Sequence, residues 1–199
     1  MSKTAVYTAI IPEADADGRV YPPQRQAEID KCSSNKVKKE KYYVWKLLEY
    51  AILQDFGENM ENIHFEKKEG GGWLADKLFF SLSHTDRVVA VAVSNKRVGV
   101  DVEAVRPHRE GLESRILTAR EMTELESIDG EDAWEYIIKR WTQKESIFKT
   151  QDKALFEPTK IETADFRLRT EHLELPFGRY MLSVCTEDEE NLKIESYSF

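Results

Sequence analysis

The sequence predicts an α+β fold, because segments typical of strands and segments typical of helices come in separate blocks along its 199 residues. Alternating apolar and polar residues indicate strands near the start, in the middle and in the tail. Apolar residues at three- and four-residue spacing indicate helices between them. The order strand, helix, strands, helices, strands predicts one unit over residues 1–199, made of two α+β halves at about 1–104 and 105–199.

The first half is predicted to contain a leading strand, a long helix and shorter strands. An apolar stretch at residues 5–11 predicts the first strand. A helix is predicted over residues 24–56 and is expected to end at Gly57. Further strands are expected at residues 63–67 and 78–83. The apolar residues with helical spacing are Val44, Leu47, Leu48, Ala51 and Ile52.

A β-hairpin is predicted where the two halves meet. Its arms are residues 88–94 and 97–103, and Asn95 and Lys96 form the connection between them. The hairpin would join the two halves through paired strands.

The second half is predicted to begin with helices over residues 112–150 and to end with strands. Thr118 and Glu121 have the spacing of a capping box, and Gly130 separates two helices. The tail alternates apolar with polar residues, as the half-buried strands of a meander do. Its apolar strand positions are Phe166, Leu168, Tyr180, Leu182, Val184, Leu192 and Ile194.

Composition argues against several classes of protein. Hydrophobic residues make up 41% of the chain and charged residues 33%, which is typical of a globular protein. A net charge of −8 argues against nonspecific binding, so neither nucleic acid nor a membrane is expected as a partner. The longest apolar run, residues 88–93, is far shorter than the roughly 20 residues of a membrane helix. Cys32 and Cys185 are far apart in the sequence, so we expect reduced thiols and a cytoplasmic protein.

The second arm of the hairpin carries half of a candidate metal site. Strand alternation places the valines of residues 98–102 toward the core and Gly99, Asp101 and Glu103 on the opposite face. Two neighbouring carboxylates suit a hard cation, and the glycine would let a ligand approach the backbone. The alternative is an ordinary solvated strand face.

The helix around Trp141 aims a third carboxylate at the core. At about 100° per residue, four apolar residues share one arc of the helix and Glu145 falls inside that arc. Because burying an unpaired charge is costly, Glu145 should be protonated, ion-paired or bound to a metal. Lys144 and Lys149 fall just outside the edges of the arc and could hold phosphates; the alternative is an internal ion pair between Glu145 and a lysine. The apolar residues of the arc are Ile137, Ile138, Trp141 and Phe148.

Two further stretches could contact phosphates. Ser83 and His84 end a strand, where a hydroxyl and an imidazole suit phosphate contacts. The lysine-rich residues 36–46, with Arg25 and Lys31 before them, form the one strongly positive stretch, although such a run is usually a solvated helix face. The remaining histidines lack metal-ligand spacing and are given no role: His64, His108 and His172.

Three motifs in this order resemble the 4′-phosphopantetheinyl transferases, specifically their Sfp-type branch. The motifs are Ser83-His84-Thr85, residues 98–103 (VGVDVE) and residues 141–149 (WTQKESIFK). The family's pattern is Ser-His-Ser, then Gly-(Ile/Val)-Asp-(Ile/Val)-Glu, then Trp-x-x-Lys-Glu-(Ala/Ser)-x-x-Lys. The resemblance implies a monomeric pseudo-dimer of two similar α+β halves, which binds coenzyme A and Mg²⁺ in the cleft between them.

The resemblance also implies roles for single residues. Asp101, Glu103 and Glu145 match the Mg²⁺ ligands, and Lys149 matches a contact to the coenzyme A diphosphate. Lys149 would offset charge on the departing phosphate, while Glu145 or a metal-bound water would be the base. The positions that match coenzyme A contacts are Ser83, His84, Lys144, Lys149, Lys31 and Lys38.

The chain departs from the family pattern in two places. Thr85 replaces the second serine but keeps a hydroxyl, and the Gly-Lys-Pro expected before Ser83 is missing, with residues 69–73 (EGGGW) in that region. The second departure is expected to affect the affinity for the nucleotide.

The implied reaction moves 4′-phosphopantetheine from coenzyme A to a serine of an acyl, peptidyl or polyketide carrier protein. Adenosine 3′,5′-bisphosphate would be released. Two alternatives remain: an inactive module that binds coenzyme A or a carrier protein, and a metal-dependent nuclease. In the nucleases, the glutamate and lysine of the site usually share a strand rather than a helix.

Overall fold

Strands and helices follow one another in the order that the sequence predicts. The structure, a computed structural model, describes residues 3–16, 18–68, 72–107, 111–151, 153–187 and 191–199. The strands are β1 (Thr4–Ile10), β2 (Phe65–Lys67), β3 (Trp73–Ala75), β4 (Phe79–His84), β5 (Val88–Ser94), β6 (Val98–Ala104), β7 (Leu168–Leu175), β8 (Gly178–Thr186) and β9 (Leu192–Tyr197). The helices are α1 (Pro23–Asp30), α2 (Asn35–Phe56), α3 (Glu113–Ile116), α4 (Ala119–Leu125) and α5 (Gly130–Thr150). Short 3₁₀ turns lie at Met60–Asn62, Pro158–Lys160 and Thr163–Asp165.

The single long helix predicted for the first half is in fact two helices. Ser34 interrupts it: its side chain accepts a hydrogen bond from the backbone N–H of Val37 and caps α2. Gly57 ends α2 in the left-handed conformation, with φ 67°, as expected. The buried face of α2, which includes Trp45 and Leu48, packs against the first sheet.

The predicted hairpin between the halves is wrong. β5 pairs with β1 and β4 in a four-stranded sheet ordered β4-β5-β1-β9, whereas β6 pairs with β8 in a three-stranded sheet ordered β6-β8-β7. Hydroxyl groups of β4 occupy the hydrogen-bonding edge of β6 instead. Ser81 Oγ accepts from the N–H of Val100 at 3.0 Å, and Ser83 Oγ accepts from the N–H of Val102 at 3.2 Å.

The predicted meander of the tail is confirmed for two of its three strands. β7 and β8 form an antiparallel pair, but β9 joins the first sheet, where it lies parallel to β1. The first sheet therefore contains the last strand of the chain, and the second contains β6. That the two halves are similar remains a prediction.

The core between the sheets confirms the predicted alternation of β6. Val98, Val100 and Val102 are buried, and they pack against apolar residues of both sheets. The capping box at the start of α4 is present, since Thr118 and Glu121 each bond the other's backbone N–H.

Gly99 allows α5 to lie directly on β6. A Cβ atom at this position would lie 1.9 Å from the backbone oxygen of Ser146 and 3.2 Å from Thr150 Cγ2. The expectation that this glycine admits a ligand is therefore wrong, because the helix backbone fills the space.

Two expectations about the whole chain can be compared with the described residues. Cys32 and Cys185 are both free thiols, as predicted. Within the described ranges, each helix is too short or too polar to cross a membrane.

Candidate functional site

Asp101 lies at the centre of the candidate site, on β6 where that strand faces α5. Its Oδ1 atom accepts hydrogen bonds from Ser83 Oγ at 2.7 Å and from Lys149 Nζ at 2.8 Å. Its Oδ2 atom is buried and has no hydrogen-bond partner among the described residues. Because a buried carboxylate oxygen without a partner is unfavourable, Oδ2 is an atom to which an added cation could bind.

Lys149 brings a positive charge to Asp101 from the last turn of α5. Its ammonium also donates to the backbone oxygen of Val100 at 3.0 Å, so it is anchored to β6 at two points. Lys149 thus offsets part of the charge of Asp101.

Glu103 and Glu145 are further carboxylates that interact electrostatically with Asp101. Burial is the main cause that raises the pKa of Glu103, to about 7, and the charge of Asp101 adds to the rise. Lys149 and a hydrogen bond from Trp141 act in the opposite direction and lower it. Burial also raises the pKa of Glu145, with Lys149 lowering it and Asp101 adding to the rise. Both carboxyl groups would ionise more readily beside an added cation.

The three carboxylates fit a hard cation by their chemistry but do not form a closed cage. In the part of the chain that the structure describes, no three His, Cys, Asp or Glu side chains are arranged to hold a metal ion. The fit rests instead on the unpartnered Oδ2 of Asp101 and on the raised pKa values of Glu103 and Glu145. Carboxylate oxygens are the ligands that Mg²⁺ prefers in proteins.

Positive groups surround His84 at the end of β4. Burial lowers the pKa of His84, and the charges of Arg25, Lys149 and Lys41 lower it further. The carboxylate of Glu40 is also near the imidazole, with its Oε2 atom 3.5 Å from Nδ1. Near this imidazole three cations outnumber the carboxylates of Asp101 and Glu40, which favours an anionic group there.

Arg25 is a site residue whose place the sequence did not predict. It is 7% exposed, and its guanidinium donates to Glu28 Oε2 and to the backbone oxygen of Lys41, both at 3.1 Å. It also lies over the ring of Trp45, 4.9 Å from the centroid. The basic run of the sequence contains Arg25, but a run of positive charges usually indicates only a solvated helix face.

Comparison with known proteins identifies the family. A model of the 4′-phosphopantetheinyl transferase superfamily matches residues 97–197, half of the chain, including Asp101, Glu103, Glu145 and Lys149. The chain belongs to this superfamily.

Similar proteins carry the transferase name. A 4′-phosphopantetheinyl transferase of Bacillus subtilis is 26% identical over 148 residues, which are 71% of this chain and 65% of that protein. The transferase Sfp of Bacillus subtilis strain 168 is 26% identical over 136 residues, 65% of this chain and 60% of Sfp. The transferase AcpT of Escherichia coli K12 is 26% identical over 113 residues, 55% of this chain and 57% of AcpT. The chain therefore spans less than two thirds of the length of these relatives.

The structure corrects two contacts that the superfamily pattern suggested. Lys144 is fully buried, and its ammonium donates to Glu121 and to the backbone oxygens of Ile116 and Pro158, so it does not face a phosphate site. The buried ion pair of α5 is thus Lys144 with Glu121, not Glu145 with a lysine. Ser83 is also buried, and its hydroxyl is already used to hold Asp101 and the backbone of β6.

The orientation of α5 explains why Lys144 was misplaced. The apolar arc was expected to face the core, but Trp141 and Glu145 are half-buried, whereas Thr142 and Ser146 are fully buried. Small polar residues face the sheet because the helix backbone lies so close to Gly99. Lys144 lies on the opposite face of the helix, under the segments that contain Ile116 and Pro158.

Two further predicted contact residues, Lys31 and Lys38, lie in the first half of the chain. Lys31 is exposed directly after α1, and Lys38 is half-buried in the first turn of α2. Their predicted nucleotide contacts stay predictions. In the region without Gly-Lys-Pro, residues 69–71 lie outside the described part of the chain, as does His108.

Replacing Glu103 by glutamine is expected to stabilise the metal-free protein at pH 8 but not at pH 4. The pKa of Glu103 is about 7 in the folded chain against an ordinary value of 4.5. Between these two pKa values, Glu103 is already ionised in the unfolded chain but still protonated in the folded chain. The stability of the wild type therefore falls as the pH rises through this range. The gain at pH 8 should be on the order of 1 kcal/mol, because solvent screens part of the effect. Urea unfolding at both pH values measures it; an equal difference at both would contradict the raised pKa.

Proposed function

We propose that this chain transfers the 4′-phosphopantetheine group of coenzyme A to a serine hydroxyl of an acyl, peptidyl or polyketide carrier protein. Adenosine 3′,5′-bisphosphate is the second product. Membership of the superfamily and the names of the similar proteins support the reaction class. The observation that carries the proposal for this chain is the position of Asp101, whose Oδ1 accepts from Lys149 while its buried Oδ2 has no partner among the described residues.

Asp101, Glu103 and Glu145 would hold a Mg²⁺ ion. When bound, the ion would supply positive charge against the diphosphate and its transferring phosphoryl group. This agrees with the chemistry of the donor set, which consists of carboxylate oxygens.

Lys149 and the positive groups around His84 would bind the phosphates of coenzyme A. Lys149 is fixed to β6 at two points, so its ammonium needs little reorganisation to face a growing negative charge. His84, with Arg25 and Lys41 near it, would receive a further phosphate of the nucleotide. Ser83 acts indirectly, because its hydroxyl orients Asp101.

Glu145 is the group that would take the proton of the attacking serine. It is half-buried, so a hydroxyl group from a second protein can approach it. Its raised pKa brings its basicity closer to neutral pH, where a general base is most effective. The predicted catalytic pair is therefore Glu145 for the proton and Lys149 for the leaving phosphate.

Mass spectrometry of carrier proteins tests the proposal. Apo forms of an acyl, a peptidyl and a polyketide carrier protein are incubated with coenzyme A, Mg²⁺ and the purified chain. We expect at least one carrier to gain the mass of the phosphopantetheine group, and the gain to vanish with a chelator or with alanine in place of the acceptor serine. Unmodified carriers of all three kinds would contradict a transferase, and coenzyme A binding without transfer would indicate the inactive module.

The nuclease alternative loses its support in the structure. In the nucleases considered, the glutamate and lysine of the site usually share a strand, whereas Glu145 and both nearby lysines, Lys144 and Lys149, lie on α5. Incubation of the chain with DNA and Mg²⁺ is expected to leave the DNA intact.

A further inference from the structure

Lys144 links three separate segments through one buried ammonium group. Nζ donates to the backbone oxygen of Ile116 at 2.8 Å, to that of Pro158 at 3.0 Å and to Glu121 Oε2 at 2.5 Å. The residue is 0% exposed. An ammonium has three donors, so all of them are used.

A buried lysine is not needed merely to fill this space. Taking an ammonium out of water is costly, and well-packed apolar residues often stabilise a fold as well as a buried ion pair does. What the pair adds is direction, since each of its hydrogen bonds fixes a distance and an angle. The Glu121 carboxylate is itself held in a fixed direction, because its Oε2 atom also accepts a hydrogen bond from the N–H of Thr118 at 2.9 Å.

The opposite face of α5 is fixed as well. Thr142 Oγ1 and Ser183 Oγ of β8 are 2.8 Å apart, and the backbone at Ser146 lies directly on Gly99. α5 is therefore held between the second sheet on one side and Lys144 with its partners on the other. Glu145 follows Lys144 at about 100° around the helix, so any rotation of α5 would displace both residues together.

We propose that Lys144 and Glu121 form a positioning pair for the transfer reaction. The pair fixes the rotation of α5 about its axis and so keeps Glu145 and Lys149 opposite Asp101. This inference rests on the function proposed above. Neither residue of the pair touches the reacting atoms.

A double variant separates positioning from simple stability. Lys144→Met alone leaves Glu121 with only the more distant guanidinium of Arg140, whose Nε lies 3.7 Å from Oε1, and should destabilise the fold. Lys144→Met with Glu121→Gln removes both charges, while the glutamine can still accept from Thr118 in the capping box. The double variant should therefore regain a Tm close to that of the wild type, although the directional hydrogen bonds remain absent.

A matched control breaks a different link between the same helices. Tyr136 of α5 donates to Glu124 Oε2 of α4 at 2.7 Å and to the backbone oxygen of Glu121 at 3.5 Å, but it makes no hydrogen bond to the Lys144 ammonium or to the Glu121 carboxylate. Tyr136→Phe removes both of these bonds and leaves the side chains of Lys144 and Glu121 in place. Because Lys144 and Glu121 keep their ion pair, we expect Tyr136→Phe to have the kcat of the wild type. This result would show that loosening the contact between α4 and α5 does not by itself lower kcat.

Kinetics and hydrogen exchange provide two independent readouts. In the double variant we expect kcat to fall by about tenfold to a hundredfold, with KM for coenzyme A nearly unchanged, because a misplaced group affects the reaction more than binding. Amides of residues 142–149 should exchange faster than in the wild type and in Tyr136→Phe.

The possible results are distinguishable. A double variant that regains both Tm and kcat, or a Tyr136→Phe variant that loses as much kcat, would overturn the positioning role. If the wild-type chain transfers nothing to any carrier, the proposed function fails. Amide hydrogen exchange in α5, compared between the wild type and the double variant, then decides by itself whether the pair fixes the helix.

Discussion

Asparagine in place of Asp101 is expected to lower the rate of transfer by about a hundredfold to a thousandfold without unfolding the protein. The substitution keeps the size of the side chain and an acceptor for Ser83 and Lys149. It replaces the free buried oxygen Oδ2 by an amide that donates, and it removes the negative charge. On the proposed function, the site would then bind a cation beside the diphosphate more weakly. Initial rates from mass spectrometry of a carrier protein measure the effect.

Ser81→Ala is the matched control for Asp101→Asn. Ser81 accepts a hydrogen bond from the backbone N–H of Val100, much as Ser83 does from Val102, but it makes no hydrogen bond to Asp101. Loss of the Ser81 hydroxyl should lower the free energy of unfolding and leave the rate of transfer nearly unchanged. If Asp101→Asn transferred at the rate of the wild type, Asp101 would not be part of the reaction centre.

The central part of the site could be predicted because it depends on local patterns. Period-two alternation correctly places the valines of β6 in the core, and this in turn places Asp101 on the face toward α5. The short motifs then lead to Glu145 and Lys149. These inferences need only the geometry of one strand and one helix.

The orientation of α5 could not be predicted, because it depends on a second layer of structure. Apolar periodicity assumes that one face of a helix is buried and the other is wet. Here Thr142 and Ser146 face the sheet, while Lys144 is buried on the other side under residues that come from distant parts of the sequence. A fully buried lysine has no periodic signature, since its partners are known only once the chain is folded.

Strand partners were equally beyond a local argument. Residues 88–103 have the spacing of a hairpin, yet β5 pairs with β1 and β6 pairs with β8. The pairing of β9 with β1 joins the two ends of the chain. Such long-range choices depend on which surfaces can be buried together, and a sequence window does not contain that information.

The close contact between β6 and α5 leads to the largest expected effect on stability. Alanine in place of Gly99 would put a methyl group 1.9 Å from the backbone oxygen of Ser146, where neither the strand nor the helix can easily move. We expect a loss of about 3 kcal/mol or more in the free energy of unfolding, together with loss of transfer, because α5 carries Glu145 and Lys149. Gly72→Ala is the control, since its added methyl group would meet only Lys68 Cδ at 3.8 Å. Urea unfolding of both variants measures the difference, and a Gly99→Ala protein as stable as Gly72→Ala would show that α5 does not depend on this contact.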